Sequence, residues 1–237
     1  MTVLVLFDID GTMLQANGAG RRSVHQAMMD VFGATGPEHH PFDGKTDPQI
    51  VRELGTIAGI DEAVIHERMD AALDRYFGYL EADITGAPHT VELLPGVHEL
   101  LDALEARDDV MLGLLTGNIE AGASLKVRAV NIAFERFVVG AYGSDAAARP
   151  ALPAIAQARA SAKLGRELPG SQVVIIGDTP HDLTCGRGIG AKAIGVETGR
   201  YRAADLHPYE PLAVFANLTD TTAVVSAITS VLAERAA

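Results

Sequence analysis

Short, unbroken apolar runs recur along the chain, and each stops at a polar or glycine residue. The first lies in residues 3–9 (VLVLFDI), is rich in β-forming side chains and stops at Asp8. A run with no polar alternation suits a strand buried on both faces of a parallel sheet. The same texture returns at Val110–Leu115, Phe137–Val139, Val173–Ile176 and Ala193–Val196. Between these runs the pattern predicts helices over Val97–Ala106, Ala121–Ala129, Leu152–Leu164 and His181–Gly188, with a closing helix over Thr221–Arg235. Strand and helix in alternation predict an α/β fold with a doubly wound parallel sheet.

The rhythm breaks over residues 15–90. Helical patterns run through Arg22–Phe32, Pro48–Ile57 and Asp61–Tyr79 with no convincing strand, and Gly18, Gly20, Gly86, Pro88 and Pro95 flank the segment. The expected organisation is a core built from residues 1–14 and 92–237, with a helical domain, residues 15–91, inserted after the first strand.

Composition narrows the class of partner. The net charge of −12, from 19 basic and 31 acidic residues, repels polyanions, and no run of Lys or Arg overrides it. Trp is absent and aromatics make up 5%, so platforms for stacking nucleic-acid bases are not expected. A single cysteine, Cys185, cannot form an intramolecular disulfide, and its expected state is a small buried residue on a helix. The N-terminal apolar run lacks a basic leader and stops at Asp8, and no apolar stretch approaches the roughly 20 residues of a membrane span. The expectation is a soluble cytoplasmic protein with no nucleic-acid or membrane partner. Nothing in the sequence sets its oligomeric state.

Three polar clusters each follow an apolar strand. In Asp8-Ile9-Asp10-Gly11-Thr12 the two carboxylates lie two residues apart, so an extended chain turns both to one face. Open α/β sheets bind ligands beyond the carboxyl ends of their strands. Close carboxylates there repel unless a cation or a shared proton relieves them. Gly177-Asp178-Thr179-Pro180-His181-Asp182 adds a second pair, and together the acids supply the hard oxygens that Mg²⁺ prefers. Asp178 or Thr179 could equally cap the following helix. Thr116-Gly117-Asn118 offers a hydroxyl, a free N–H and an amide suited to phosphate oxygens, or a turn with Asn118 as N-cap.

The order DxDGT, apolar-TGN, apolar-GDTxxD resembles the haloacid dehalogenase superfamily of phosphohydrolases, and the insertion lies where its members carry a helical cap on a Rossmann-like core. Leu94-Pro95-Gly96-Val97 and Phe42-Asp43-Gly44-Lys45-Thr46-Asp47 are similar to the phosphoglycolate phosphatase-like branch. The resemblance implies a phosphatase for a small organic phosphate. Asp8 would be the nucleophile and would become an aspartyl-phosphate, and Asp10 would act as acid and then base. The implied Mg²⁺ would be held by Asp8, the carbonyl of Asp10 and Asp178, with Asp182 orienting its water shell. Thr116, Gly117 and Asn118 would bind the phosphoryl group. The superfamily's neutralising cation is usually a lysine, which phosphoglycolate phosphatase-like members often carry in a Lys-Pro pair. Here that place reads Arg149-Pro150, with Lys126 as the competing candidate.

Lys45, on the insertion, is expected to meet a distal anionic group of the substrate, with Arg21 and Arg22 near the hinge as other candidates. Alternatives on the same scaffold are a sugar phosphomutase, a phosphonate hydrolase using Lys45, or a non-catalytic binding protein. A dehalogenase is disfavoured by the presence of Asp10. Gly44-Lys45-Thr46 is no P-loop, because His39 stands where a glycine is required. The adjacent His39 and His40 are expected at the surface.

Overall fold

The computed structural model describes residues 1–86 and 91–233. Pro88 and the helix end expected at Arg235 lie outside them. A six-stranded parallel sheet forms the core. Its strands are β1 (Val3–Phe7), β4 (Val110–Leu115), β5 (Val139–Ala141), β6 (Val173–Gly177), β7 (Lys192–Val196) and β8 (Ala213–Phe215), in the order β5-β4-β1-β6-β7-β8. β1 is therefore central: Val5 pairs with Leu112 on one side and Val174 on the other. The unbroken apolar runs are explained by double-sided burial. Val3, Val5 and Phe7 pack into one apolar cluster, and Leu4 and Leu6 into another on the opposite face.

Helices α4 (Val97–Glu105) and α9 (Thr221–Ala233) contribute Leu100, Leu104, Val224 and Ile228 to the first cluster. α6 (Leu152–Leu164) contributes Leu152, Ala156 and Ala160 to the second. Each large side chain buried this way stabilises the fold by about 1.5–3 kcal/mol. The result is the doubly wound layering that alternating strands and helices imply.

Three helices fill the inserted segment: α1 (Ala19–Phe32), α2 (Asp47–Ile57) and α3 (Glu62–Gly86). α1 ends at Gly33, whose φ of 71° is the left-handed cap that glycine adopts without strain. α2 begins at Thr46, whose hydroxyl accepts the Gln49 N–H, and Pro48 sits in the first turn where no N–H partner is needed.

The elements differ from the sequence pattern in places. Leu14–Gln15 (β2) and Glu92–Leu93 (β3) pair antiparallel where no strand was expected, because two-residue strands carry no readable period. The third core strand lies at Val139–Ala141, two residues later than predicted. The helix expected over His181–Gly188 is α7 (Pro180–Cys185), followed by a 3₁₀ turn at Gly186–Ile189. The short α8 (Ala203–Leu206) and β8 had no counterpart in the pattern. α5 (Glu120–Ala129) follows β4.

Candidate active site

Asp8 follows the last residue of β1, and its N–H still bonds to the Ile176 carbonyl at 2.9 Å, so the sheet itself fixes its position. Gly11, with φ of 85°, then turns the chain sharply. It also leaves room for a neighbour, since a Cβ there would stand 2.5 Å from an Asp178 oxygen. The loops after the adjacent strands β1, β4 and β6 converge, which brings the three polar clusters together around a cavity of about 240 Å³.

Asp8, Asp178 and Asp182 form a buried group whose ligand oxygens lie within 4.8 Å of one another. Arg149 is buried beside them. Its Nη2 is 3.1 Å from Asp8 Oδ1 and also donates to Asp182 Oδ1. Arg149 Nε is buried with no hydrogen-bond partner among the described residues. Asp182 Oδ2 accepts from the Thr179 N–H at 3.0 Å and the Thr179 hydroxyl at 2.7 Å, completing a capping box on α7. Thr179 is thus the helix cap, and Asp178 is left to face the cavity, accepting from the Thr12 hydroxyl at 3.2 Å.

Asp10 lies on the other side, with its side chain 40% exposed. Lys126 Nζ from α5 reaches its two oxygens at 2.9 and 2.7 Å and donates to Asn118 Oδ1 at 2.6 Å. Asn118 Nδ2 lies 2.8 Å from both Asp10 Oδ2 and Thr116 Oγ1. Asn118 is not the α5 cap, a place taken by Ile119, so its amide is available to the cluster. Both candidate cations are therefore in the site with different partners: Arg149 with Asp8 and Asp182, Lys126 with Asp10 and Asn118.

The electrostatics follow from burial. Desolvation pushes the Asp8 carboxyl up to about 7; Arg149 pulls it down, while Asp182 and Asp10 add to the rise. Burial, then the charges of Asp182 and Asp8, hold Asp178 well above the usual carboxyl range. Burial works against the charge of Arg149, but the carboxylates of Asp182 and Asp8 outweigh it and raise its pKa. Asp47 is pushed up to about 6 by burial, with Lys126 opposing.

A divalent cation fits this donor set. Asp8 and Asp178 are clustered hard-oxygen donors in an environment that penalises their uncompensated charge. A Cβ at Gly199 would fall 1.7 Å from an Asp178 oxygen, so two glycines keep space open around that carboxylate. Asp182 fits a supporting place better than a ligand's, because both its oxygens are already engaged.

Outside the core constellation, Lys45 lines the cavity, yet its Nζ pairs with Glu53 Oε2 at 2.5 Å and lies 3.3 Å from His40 Nε2. His40 also meets Glu53 at 2.5 Å, so it belongs to a charged cluster rather than to open surface. Arg21 lines the cavity too, stacked 4.0 Å over Phe42, with Nη1 bonded to the carbonyls of Glu38 and His40. Asp47 and Tyr76 also face the cavity, and motif spacing had given neither a site role. Cys185 is buried on α7, where desolvation pushes its thiol up to about 12.

Residues 5–196 match the haloacid dehalogenase-like hydrolase family. The chain belongs to that family. It is 25% identical to the probable phosphatase IndB of Dickeya dadantii (strain 3937) over 236 residues, covering 96% of this chain and 95% of that one. It shares its fold with a predicted phosphoglycolate phosphatase from Haemophilus somnus 129pt (TM-score 0.70, 20% identity, 94% of this chain and 98% of that one). CbbY from Rhodobacter sphaeroides, solved in complex with phosphate, is similar at a TM-score of 0.67 and 18% identity, over 93% of this chain and 96% of that one. By family, and by its whole-length likeness to a probable phosphatase, this haloacid dehalogenase-like hydrolase is an enzyme of the phosphatase type. Among the described residues no helix is long and apolar enough to cross a membrane.

Proposed function

We propose that this hydrolase is a Mg²⁺-dependent phosphatase that removes the phosphoryl group from a small organic phosphate through an aspartyl-phosphate on Asp8. The observation that carries the reading is the pairing of two carboxylates in different settings at one strand end. Asp8 is buried between Arg149 and the Asp178–Asp182 cluster, while Asp10 is half-exposed and held by Lys126 and Asn118. Two such carboxylates suit a division into nucleophile and proton carrier.

In the first step an Asp8 oxygen attacks phosphorus, the bond to the ester oxygen breaks, and Asp10 supplies the proton that the leaving alkoxide takes. In the second step Asp10 removes a proton from water as that water attacks phosphorus, releasing inorganic phosphate and restoring Asp8. Thr116 and Asn118 orient the phosphoryl oxygens, and the Arg149 guanidinium offsets charge beside Asp8. Asp8, the Asp10 carbonyl and Asp178 would hold Mg²⁺, which when bound would offset the charge of nucleophile and phosphate so that one anion can approach another. In this reading residues 15–91 form a cap that closes over the core.

Chelation tests the metal. Turnover of p-nitrophenyl phosphate is expected to vanish in EDTA and return with Mg²⁺, and Ca²⁺ is expected to bind and inhibit, since its looser oxygen shell misplaces the reacting atoms. Full activity in EDTA would remove the metal from the reading. A requirement for a sugar bisphosphate would favour the mutase alternative.

The substrate proposed is of the phosphoglycolate kind, a small phosphate ester bearing a second anionic group. Of the cavity-lining cations, Lys126, Arg149 and Lys45 each meet a carboxylate, whereas Arg21 bonds only to main-chain carbonyls among the described residues. Arg21 therefore replaces Lys45 as the first candidate for the distal group. Arg21→Ala is expected to raise KM about tenfold for such a substrate and to leave p-nitrophenyl phosphate within about twofold. Equal losses on both would assign Arg21 a structural role.

A further inference from the structure

The inserted helices meet the core at the loop that carries Asn118. The Asp47 N–H, at the start of α2, donates to the Gly117 carbonyl at 2.8 Å. Asp47 Oδ2 accepts from the Ile119 N–H, also at 2.8 Å. One residue of the insertion thus grips the chain on both sides of Asn118. Its neighbours reinforce the seat. The hydroxyl of Thr46, itself fully buried, donates to the Ala147 carbonyl at 2.6 Å. A Cβ on Gly117 would lie 1.9 Å from the Lys45 carbonyl oxygen, so only glycine admits so close an approach. Tyr76, buried on α3, lines the same cavity as Asp47.

The gripped segment is chemically consequential. Asn118 bonds to Asp10, Thr116 and Lys126, so a shift of its backbone moves the whole arrangement around the second carboxylate. We propose that Asp47 is a positioning residue: its two bonds set Asn118, and through it Asp10 and Lys126, so that the acid–base side of the site is assembled only while the insertion is seated. This rests on the phosphatase reading above. Asp47 acts here as a hydrogen-bond acceptor rather than as a charge toward substrate. A misplacement of about 1 Å in such a constellation can cost on the order of 10²-fold in rate.

Three consequences separate this from a role in substrate contact or in folding alone. Asp47→Ala is expected to lower kcat about 10- to 100-fold on p-nitrophenyl phosphate and on the best natural substrate alike, with KM within about threefold. Asp47→Asn keeps an oxygen that can accept the Ile119 N–H, and it is expected to recover most of the lost kcat. In folded Asp47→Ala, verified by circular dichroism and thermal unfolding, the Ile119 amide is expected to exchange with solvent faster than in the wild type.

An unchanged kcat in Asp47→Ala, or unchanged Ile119 exchange, would overturn the proposal. So would Asp47→Asn as impaired as Asp47→Ala, which would point to the charge itself. If Asp47→Ala does not fold, Asp47→Asn decides by the same exchange and kinetic readouts, wild-type-like values supporting the proposal and lost kcat or protection overturning it. Absence of wild-type turnover on every phosphate ester would strike the phosphatase reading instead, and the Ile119 exchange would still report whether Asp47 holds the loop.

Discussion

Asp8→Asn is expected to abolish turnover, by about 10⁴-fold or more, while leaving the fold intact. An amide of nearly the same shape cannot attack phosphorus as an anion. The stability side has a definite sign. In the metal-free protein the folded chain keeps a proton on Asp8 up to about pH 7, against an ordinary value of 3.8. An acid raised on folding loses stability as pH climbs from its unfolded value through its folded one. The neutral amide escapes that loss. At pH 8 in EDTA the thermal midpoint of Asp8→Asn is therefore expected to match or exceed that of the wild type. Steady-state kinetics and thermal unfolding of one preparation check both halves. Retention of more than a small fraction of activity would end the covalent mechanism.

Arg149→Ala is expected to be costly twice over. It removes a guanidinium beside Asp8, the proposed nucleophile, a loss comparable to that of one transition-state donor, about 10²–10³-fold in kcat. It also leaves the buried Asp8 and Asp182 without their cation. Breaking a buried ion pair from one side costs about 3–5 kcal/mol, against a total stability of about 5–15. Lys126→Ala is expected to depress kcat on every substrate too, but through Asp10, the carboxylate it holds by two bonds. Transient kinetics distinguish them: Arg149→Ala should slow mainly formation of the phosphoenzyme, whereas Lys126→Ala, acting through Asp10, should slow both that step and hydrolysis of the phosphoenzyme. Arg149→Lys, which keeps a charge without the fork, should fold better than Arg149→Ala and recover part of the rate. An active Arg149→Ala beside an inactive Lys126→Ala would reverse the choice of core cation.

The parts of this molecule that were legible beforehand are those where one physical rule acts locally. Residues Val3–Phe7 face apolar neighbours on both sides, so burial writes an unbroken apolar run. Asp8, Thr116 and Asp178 could be grouped because each closes such a run. Lys126 was harder. Nothing near it in sequence marks it off from a solvated helix lysine, and its bond to Asp10 spans 116 positions. Asp47 closes the Phe42–Asp47 motif, but nothing there marks its contact with the Asn118 loop, and Tyr76 carries no motif signal. An acid beside a proline in a first helical turn satisfies local helix chemistry, and a tyrosine on an apolar stripe satisfies packing, so each had a sufficient local explanation. The β2–β3 pair was missed for a different reason: two residues are too few for a pattern.

The central place of β1 also bears on how the enzyme comes into being. Val5 pairs with Leu112 and with Val174. At synthesis rates of about 5–20 residues per second, roughly 10–30 s separate the emergence of β1 from that of β6. Throughout that interval one edge of an entirely apolar strand has no partner, and unpaired strand edges invite association between chains. Closing such distant pairings is also intrinsically slow, because loop entropy is lost before the contacts repay it. Asp8, the proposed nucleophile, is therefore made well before the strands and loops that complete its surroundings. A nascent chain ending short of Val173 carries Asp8 but neither Asp178 nor Asp182, so catalytic competence arrives late and all at once.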